Sequence, residues 1–373
     1  MRYYIIAGEA SGDLHGANLM RALRRHDPHA EFRYWGGDCM KAVEGEPVRH
    51  IRDMAFMGFV EVLAHLPAVM DNIRLCKKDI LAYRPDVLVT IDYPGFNLKM
   101  AHHAHKHGIK TVHYISPQLW AWKSGRIKKM RRDLDKLCYI LPFEQDYYQD
   151  NHLPQAVYVG HPLLDAVAAF RTDDTTAGTE HRAIALLPGS RRQEIAKVLP
   201  VMLRLAARHK EYDFAIAGMS LLGEDFYRRI IDRMGGDLGN VRVLCDQTYP
   251  LLASAYAAVV CSGTATLETC LFGVPQVVGY IANPLSVAIA HRVVEKRIKY
   301  ISLVNLIADA PIVTELIQDD LNDARLEEEF RLITADTAAR QKMLDGYARV
   351  HAILGNAGAS DRTAQEILKT QKN

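Results

Sequence analysis

The sequence predicts an α/β protein made of two Rossmann-like, doubly wound domains facing one another across a cleft, and three observations predict it. Short, continuously apolar runs rich in Val, Ile and Tyr alternate with longer stretches of helical period. That pattern marks βαβ units whose strands are buried on both faces. A second observation is repetition: the plan of strand, Gly-containing turn and helix that opens the chain returns at residues 183–195. The third is the stretch between them, where residues 173–180 read Asp-Asp-Thr-Thr-Ala-Gly-Thr-Glu, polar and turn-rich as a linker is. A length of 373 residues suits two domains at roughly 100–200 residues each.

The predicted strands of the first half are residues 2–7, 31–35, 86–91, 110–115, 137–141 and 156–159. Those of the second are 183–187, 213–217, 241–244, 257–261 and 276–280. Several stop at Gly or Pro turns, which sharpens their ends. A last helix, 361–369, follows the turn at 355–360, with Ser360 as its expected N-cap.

Composition narrows the function classes. Hydrophobic residues at 49% and charged residues at 24% exclude a disordered, collagenous or disulfide-scaffold chain. A net charge of +2 excludes attachment to nucleic acid by bulk charge, and no nucleic-acid partner is expected. The six cysteines are widely spaced without a C-x-x-C pair, so free buried thiols are expected. Residues 248–267 and 269–290 carry no Asp, Glu, Lys or Arg, but Pro250, Ser262-Gly263-Thr264, Gly273-Val274-Pro275 and Asn283-Pro284 interrupt them. These are expected to be buried strands and loops, not membrane spans. Glu9 arrives before a secretory apolar segment forms, so a cytoplasmic location is expected.

Chemistry concentrates at the strand-to-helix turns. After the first strand comes Gly8-Glu9-Ala10-Ser11-Gly12-Asp13, where glycines allow close backbone approach and the following helix start attracts anions. Its spacing is not that of G-x-G-x-x-G. The equivalent turn of the second half, Leu187-Pro188-Gly189-Ser190-Arg191, joins a hydroxyl, a helix start and a fixed cation, a set that suits a diphosphate. Ser262-Gly263-Thr264 opens a third such helix, and Glu268 within it offers a carboxylate to ribose hydroxyls or to a backbone donor. Asp92 ends a wholly apolar strand, where it reads either as a general base or as a turn-initiating Asp before Pro94.

Other clusters read as structural or peripheral. His102, His103, His105 and His107 spread over more than one helical face with no carboxylate or Cys alongside, so no metal site is expected. Asp133 and Asp135 sit among basic residues and are expected in surface ion pairs. Lys123, Arg126, Lys128, Lys129, Arg131 and Arg132 follow Trp120 and Trp122, a combination that suits an anionic bilayer surface, more weakly RNA contact, or a solvated helix face. Met54, Phe56, Met57, Phe59, Val62, Leu66 and Met70 form a dense apolar stretch suited to core packing and to lipid contact.

Taken in order, the motifs at 8–13, 57–62 (Met-Gly-Phe-Val-Glu-Val), 91–97, 114–122, 141–144, 159–162, 187–191 and 262–268 resemble those of lipid-A-disaccharide synthases. The resemblance covers residues 2 to 318 at least. It implies a glycosyltransferase-B fold with a closing helix that crosses back, hence domains 1–165 plus 346–373 and 166–345. It also implies an inverting transfer from UDP-2,3-diacylglucosamine to the 6-hydroxyl of 2,3-diacylglucosamine 1-phosphate, without a cofactor, at the cytoplasmic face of the inner membrane. Under it Asp92 is the general base and Ser11 lies near the reacting sugars. Arg191, Ser190 and Thr264 face the leaving diphosphate, Glu268 holds the ribose, and Asn305 is a further site residue. Gly95, Val304 and Ile281 stand where the family often has Asp, Pro and Arg. The resemblance leaves oligomeric state open. Rival readings are a UDP-N-acetylglucosamine 2-epimerase, a transferase acting on undecaprenyl-linked muramyl peptide, and a non-catalytic lipid- or nucleotide-binding scaffold.

Overall fold

The computed structural model describes residues 1–54, 66–120, 125–173, 183–281, 299–335 and 337–371. It divides into two compact units, one of Met1–Ala166 with Asn356–Asn373 and one of Val167–Gly355.

The first unit alternates β1 (Arg2–Ala7), α1 (Ala10–His26), β2 (Glu31–Gly36), α2 (Asp38–Glu44), β3 (Arg49–His50), α3 (Leu66–Tyr83), β4 (Val87–Ile91), α4 (Pro94–Lys106), β5 (Lys110–Tyr114), α5 (Arg126–Asp133), β6 (Lys136–Tyr139), α6 (Glu144–Asp150) and β7 (Ala156–Tyr158). Helix α7 (Pro162–Asp173) leads into the second unit. There follow β8 (Ala183–Leu187), α8 (Arg192–Arg208), β9 (Asp213–Gly218), α9 (Glu224–Met234), β10 (Val241–Cys245), α10 (Thr248–Ser254), β11 (Ala255–Cys261), α11 (Thr264–Leu271), β12 (Gln276–Tyr280), α12 (Leu303–Ala308), β13 (Thr314–Ile317), α13 (Asp323–Thr334) and α14 (Ala338–Leu354). Helix α15 (Ala359–Lys369) returns to the first unit.

Each unit has one parallel sheet, ordered β3-β2-β1-β4-β5-β6-β7 and β10-β9-β8-β11-β12-β13. Both orders reverse direction beside their first strand, the arrangement that opens a crevice at the carboxyl ends of a doubly wound sheet. All eleven expected strands are present. The two unforeseen ones, β3 and β13, lie at sheet edges and are only partly buried, so neither has a continuous apolar run. No helix among the described residues is long and apolar enough to cross a membrane. The uncharged stretch 248–267 folds as α10, β11 and the start of α11, with residues 257–261 buried.

Two expectations are corrected here. Met54 is 2% exposed and packs with Tyr4, Ile6 and Trp35, so it belongs to the core rather than to a lipid-contacting surface. Ser360 does not cap the last helix: α15 starts one residue earlier, with Gly358 at the N-cap position. The cap comes instead from Asp165, whose carboxylate accepts from the backbone N–H groups of Gly358, Ala359 (3.1 Å) and Ser360 (2.8 Å). Arg362 adds a bond to the Val159 carbonyl at 2.7 Å, and Asp361 pairs with Arg25 and His26 of α1. Helix α15 is thereby tied to both ends of the first unit's chain.

Asp165→Ala should leave the first turn of α15 without its acceptor and cost about 1–2 kcal/mol. Urea unfolding of the full chain checks this, with an unchanged midpoint as the contrary result.

Candidate functional site

In the first unit, β1 and β4 are neighbours, with Ala7 registered against Ile91. Gly8 and Asp92 are therefore the first residues beyond two adjacent strand ends, on either side of the point where the strand order reverses. Helix α1 opens from Glu9 in an extended conformation without a side-chain cap. Ser11 is partly exposed on its first turn, and Gly12 packs against Ala7. Gly8 has no room for a side chain: a Cβ there would lie 2.4 Å from the Tyr93 ring. The turn therefore admits Tyr93 because position 8 is glycine. Asp92 and Tyr93 are both left-handed, at φ 44° and 46°, and Asp92 is partly exposed. Gly95 is exposed with open space around it, so the side chain often found there in the family would meet no obstruction.

Asp13, at the end of the first turn motif, is bonded within the fold. It is 3% exposed, and its oxygens accept from the backbone N–H groups of Gly37 (2.6 Å), Cys39 (2.8 Å) and Met40 (3.1 Å). It caps the start of α2, the helix packed beside α1.

The second unit repeats the arrangement. Gly189, at φ 106°, turns the chain after β8, and Arg191 enters α8 in an extended conformation. The Arg191 guanidinium is 53% exposed and pairs with Glu194 at 3.0 Å. After β11, Ser262 donates to the Ile301 carbonyl (3.0 Å), while Gly263 and Thr264 are exposed at the start of α11. The turns abut, since a Cβ on Gly189 would lie 3.4 Å from the Cys261 sulfur. One turn into α11, partly exposed Glu268 accepts from the Tyr249 hydroxyl at 3.1 Å. Desolvation raises its pKa, and the bond from Tyr249 opposes that rise. Tyr249 went unread because nothing in the uncharged stretch distinguishes it from a core aromatic.

Asn305, expected as a further site residue, is held inside the second unit by its side chain. It is 1% exposed and makes four side-chain bonds: it donates to the Val313 carbonyl and Glu315, and accepts from the N–H groups of Ile312 and Val313, all at 2.8–2.9 Å. With Glu315, which accepts from the Ile301 and Ser302 N–H groups, it fixes the chain entering α12.

Of the peripheral residues, Met70 is exposed at 42%. Leu66 opens α3, and Trp120 packs edge-on against Phe143 at 5.2 Å. Phe56, Met57, Phe59, Val62, Trp122 and Lys123 lie outside the described residues. Helix α5 buries Ile127 and Met130 and exposes Lys128, Lys129, Arg131 and Arg132. Arg131 bonds the Asn151 carbonyl and Arg132 pairs with Asp133 at 2.7 Å. Asp133 itself is buried at 4%, not at the surface, and also pairs with His102. Among the described residues, no group of three or more His, Cys, Asp or Glu converges as metal ligands do.

A further unread group is Glu144, the last residue of the 141–144 motif. It is fully buried, and neither carboxyl oxygen meets a hydrogen-bond partner in good geometry. Burial pushes its pKa up from 4.5 to about 8, only partly countered by the Leu141 backbone and the Trp120 indole. Between those two values the folded chain keeps a proton that the unfolded chain has released, so stability falls as pH rises through the window and levels off above it. Glu144→Gln should flatten that slope and stabilise the protein at pH 8.5 by about 1–3 kcal/mol. Denaturation midpoints at pH 5 and 8.5 measure it; the same slope in both proteins would contradict the assignment.

Comparison with known proteins adds two findings. The family model described as lipid-A-disaccharide synthetase matches residues 3–367. The lipid-A-disaccharide synthase of Geobacter sulfurreducens is 37% identical over 377 residues, covering 99% of this chain and 97% of that protein. That of Myxococcus xanthus is 33% identical over 99% and 97%. Among solved structures, the UDP-GlcNAc 2-epimerase of Neisseria meningitidis bound to UDP-GlcNAc superimposes with a TM-score of 0.71 at 13% identity, covering 99% of this chain and all of that one. The likeness to the epimerase is one of fold; the likeness to the synthases runs end to end in sequence.

Proposed function

The chain belongs to the lipid-A-disaccharide synthetase family, and on that premise we propose which residues carry its chemistry. The enzyme is a hexosyltransferase of lipid A synthesis that uses a UDP-sugar. Its donor is UDP-2,3-diacylglucosamine and its acceptor the 6-hydroxyl of 2,3-diacylglucosamine 1-phosphate. The observation that carries the assignment is the position of Asp92, a partly exposed carboxylate just beyond the end of β4 and beside the Gly8 turn.

Asp92 takes the proton of the acceptor 6-hydroxyl as its oxygen attacks the anomeric carbon of the donor. The bond from that carbon to the β-phosphate oxygen breaks on the opposite face, so the α-linked donor yields a β(1→6) disaccharide 1-phosphate and UDP. Negative charge grows on the leaving diphosphate, where the Arg191 guanidinium and the helix starts at Ser190 and Thr264 stabilise it. Glu268 accepts from the ribose hydroxyls, whose donors replace the water that burial removes. Ser11, on the first turn of α1, faces the reacting sugars.

Both substrates carry acyl chains and reside in a bilayer. The exposed cations of α5 meet the anionic surface of the cytoplasmic face of the inner membrane, with exposed Met70 of α3 as a further lipid contact. Each basic residue close to such a surface contributes ~1 kcal/mol.

Incubation with both diacylated substrates should release UDP and disaccharide together; no disaccharide would overturn the reading. In the same assay Asp92→Asn should lower kcat about 10²–10⁴-fold with UDP affinity within a few-fold. Near-normal turnover would remove Asp92 from the role. Reversing charge at Lys128, Lys129, Arg131 and Arg132 should lower sedimentation with anionic vesicles more than tenfold, and unchanged binding would leave α5 as a solvated face.

A further inference from the structure

We propose that Asn97 is a positioning residue for the transfer reaction, holding the backbone of Asp92 in the conformation that aims its carboxylate. The inference rests on Asp92 acting as the base.

Asn97 is fully buried. Its side-chain nitrogen lies 2.7 Å from the Asp92 carbonyl oxygen, 3.0 Å from that of Ile91 and 3.4 Å from that of Ile6. Three carbonyls around one amide fix its orientation, because the flipped form would set oxygen against oxygen. Its backbone N–H donates to the Tyr93 carbonyl at 3.1 Å. One residue therefore collects three successive carbonyls, of 91, 92 and 93, and reaches across to β1 through Ile6. On the other side, the Asp92 N–H donates to the Tyr114 carbonyl at 2.9 Å, extending the pairing of β4 with β5.

That collection meets a specific need. Asp92 and Tyr93 are two successive non-glycine residues in the left-handed region. Side-chain residues leave that region unless their surroundings over-determine it. Relaxation of Asp92 to an ordinary φ would swing its side chain away from the end of β4, and a general base displaced by about 1 Å loses rate steeply. The Asn97 amide ties down the carbonyl end of the strained residue and Tyr114 its amide end. The geometry calls for a donor on a side chain short enough to remain within the first turn of α4, and the amide supplies two.

The test is a double-mutant cycle on kcat with Asn97→Ala, Asp92→Asn and both together. Asn97→Ala should lower kcat 30–100-fold, leave UDP affinity within threefold, and cost less than threefold when Asp92 is already Asn. An equal loss in both backgrounds, or near-normal turnover of Asn97→Ala beside a crippled Asp92→Asn, overturns the positioning role. Normal turnover of Asp92→Asn itself overturns the base assignment instead. If Asn97→Ala fails to fold, Asn97→Asp decides. Its carboxyl donates to the Asp92 carbonyl only when protonated, so kcat relative to wild type should rise as pH falls; a ratio independent of pH overturns the proposal.

Discussion

Two parallel sheets that reverse their strand order beside the first strand set the terms for everything else in this protein. Right-handed crossovers send the helices after β1 and β4, and after β8 and β11, to opposite faces of their sheets. Their first turns therefore diverge instead of packing on each other, and backbone N–H groups at those turns stay open to a ligand. Gly8 and Asp92 occupy the gap in one unit; Gly189 to Arg191 and Ser262 to Thr264 occupy it in the other. The chemistry follows from what each gap holds. One carries a carboxylate beside a glycine turn; the other carries a cation and two helix starts, with Glu268 one turn into the second helix.

Holding a carboxylate at a strand end has a conformational cost. Two left-handed residues in succession cost about 1–2 kcal/mol each, and the Asn97 amide, the Tyr114 carbonyl and the close fit of the Tyr93 ring over Gly8 offset it. The strain is concentrated at the end of β4, and the Asn97 side chain that sustains it is buried. An active-site carboxylate on an unstrained loop would be cheaper to fold and less fixed in direction.

The sequence disclosed what depends on neighbours along the chain and hid what depends on neighbours across it. Continuous apolar runs made most strands legible, whereas β3 is two polar residues long and β13 opens on Thr314 and Glu315, so neither offers such a run. The strand-to-helix turns were legible because glycine, serine and charge gather there in a few residues. The partners of Asp13 and Asn305, at 37–40 and 312–315, were hidden because they lie outside those residues' own motifs. The cap on α15 was assigned to the local serine for the same reason, while the actual acceptor stands at Asp165. Glu144 closes a motif legible in the sequence, but its burial was not legible, since a helix-opening glutamate is ordinarily solvated and only the fold buries it.

The return of α15 to the first unit also has a consequence for biosynthesis. At 5–20 residues per second, the ribosome needs about 10–40 s to make the second unit before the segment that completes the first one emerges. For that interval the nascent N-terminal sheet lacks the helix that covers α1, and the Asp165 carboxylate has no helix start to receive. The first unit to be translated is thus the last to be finished.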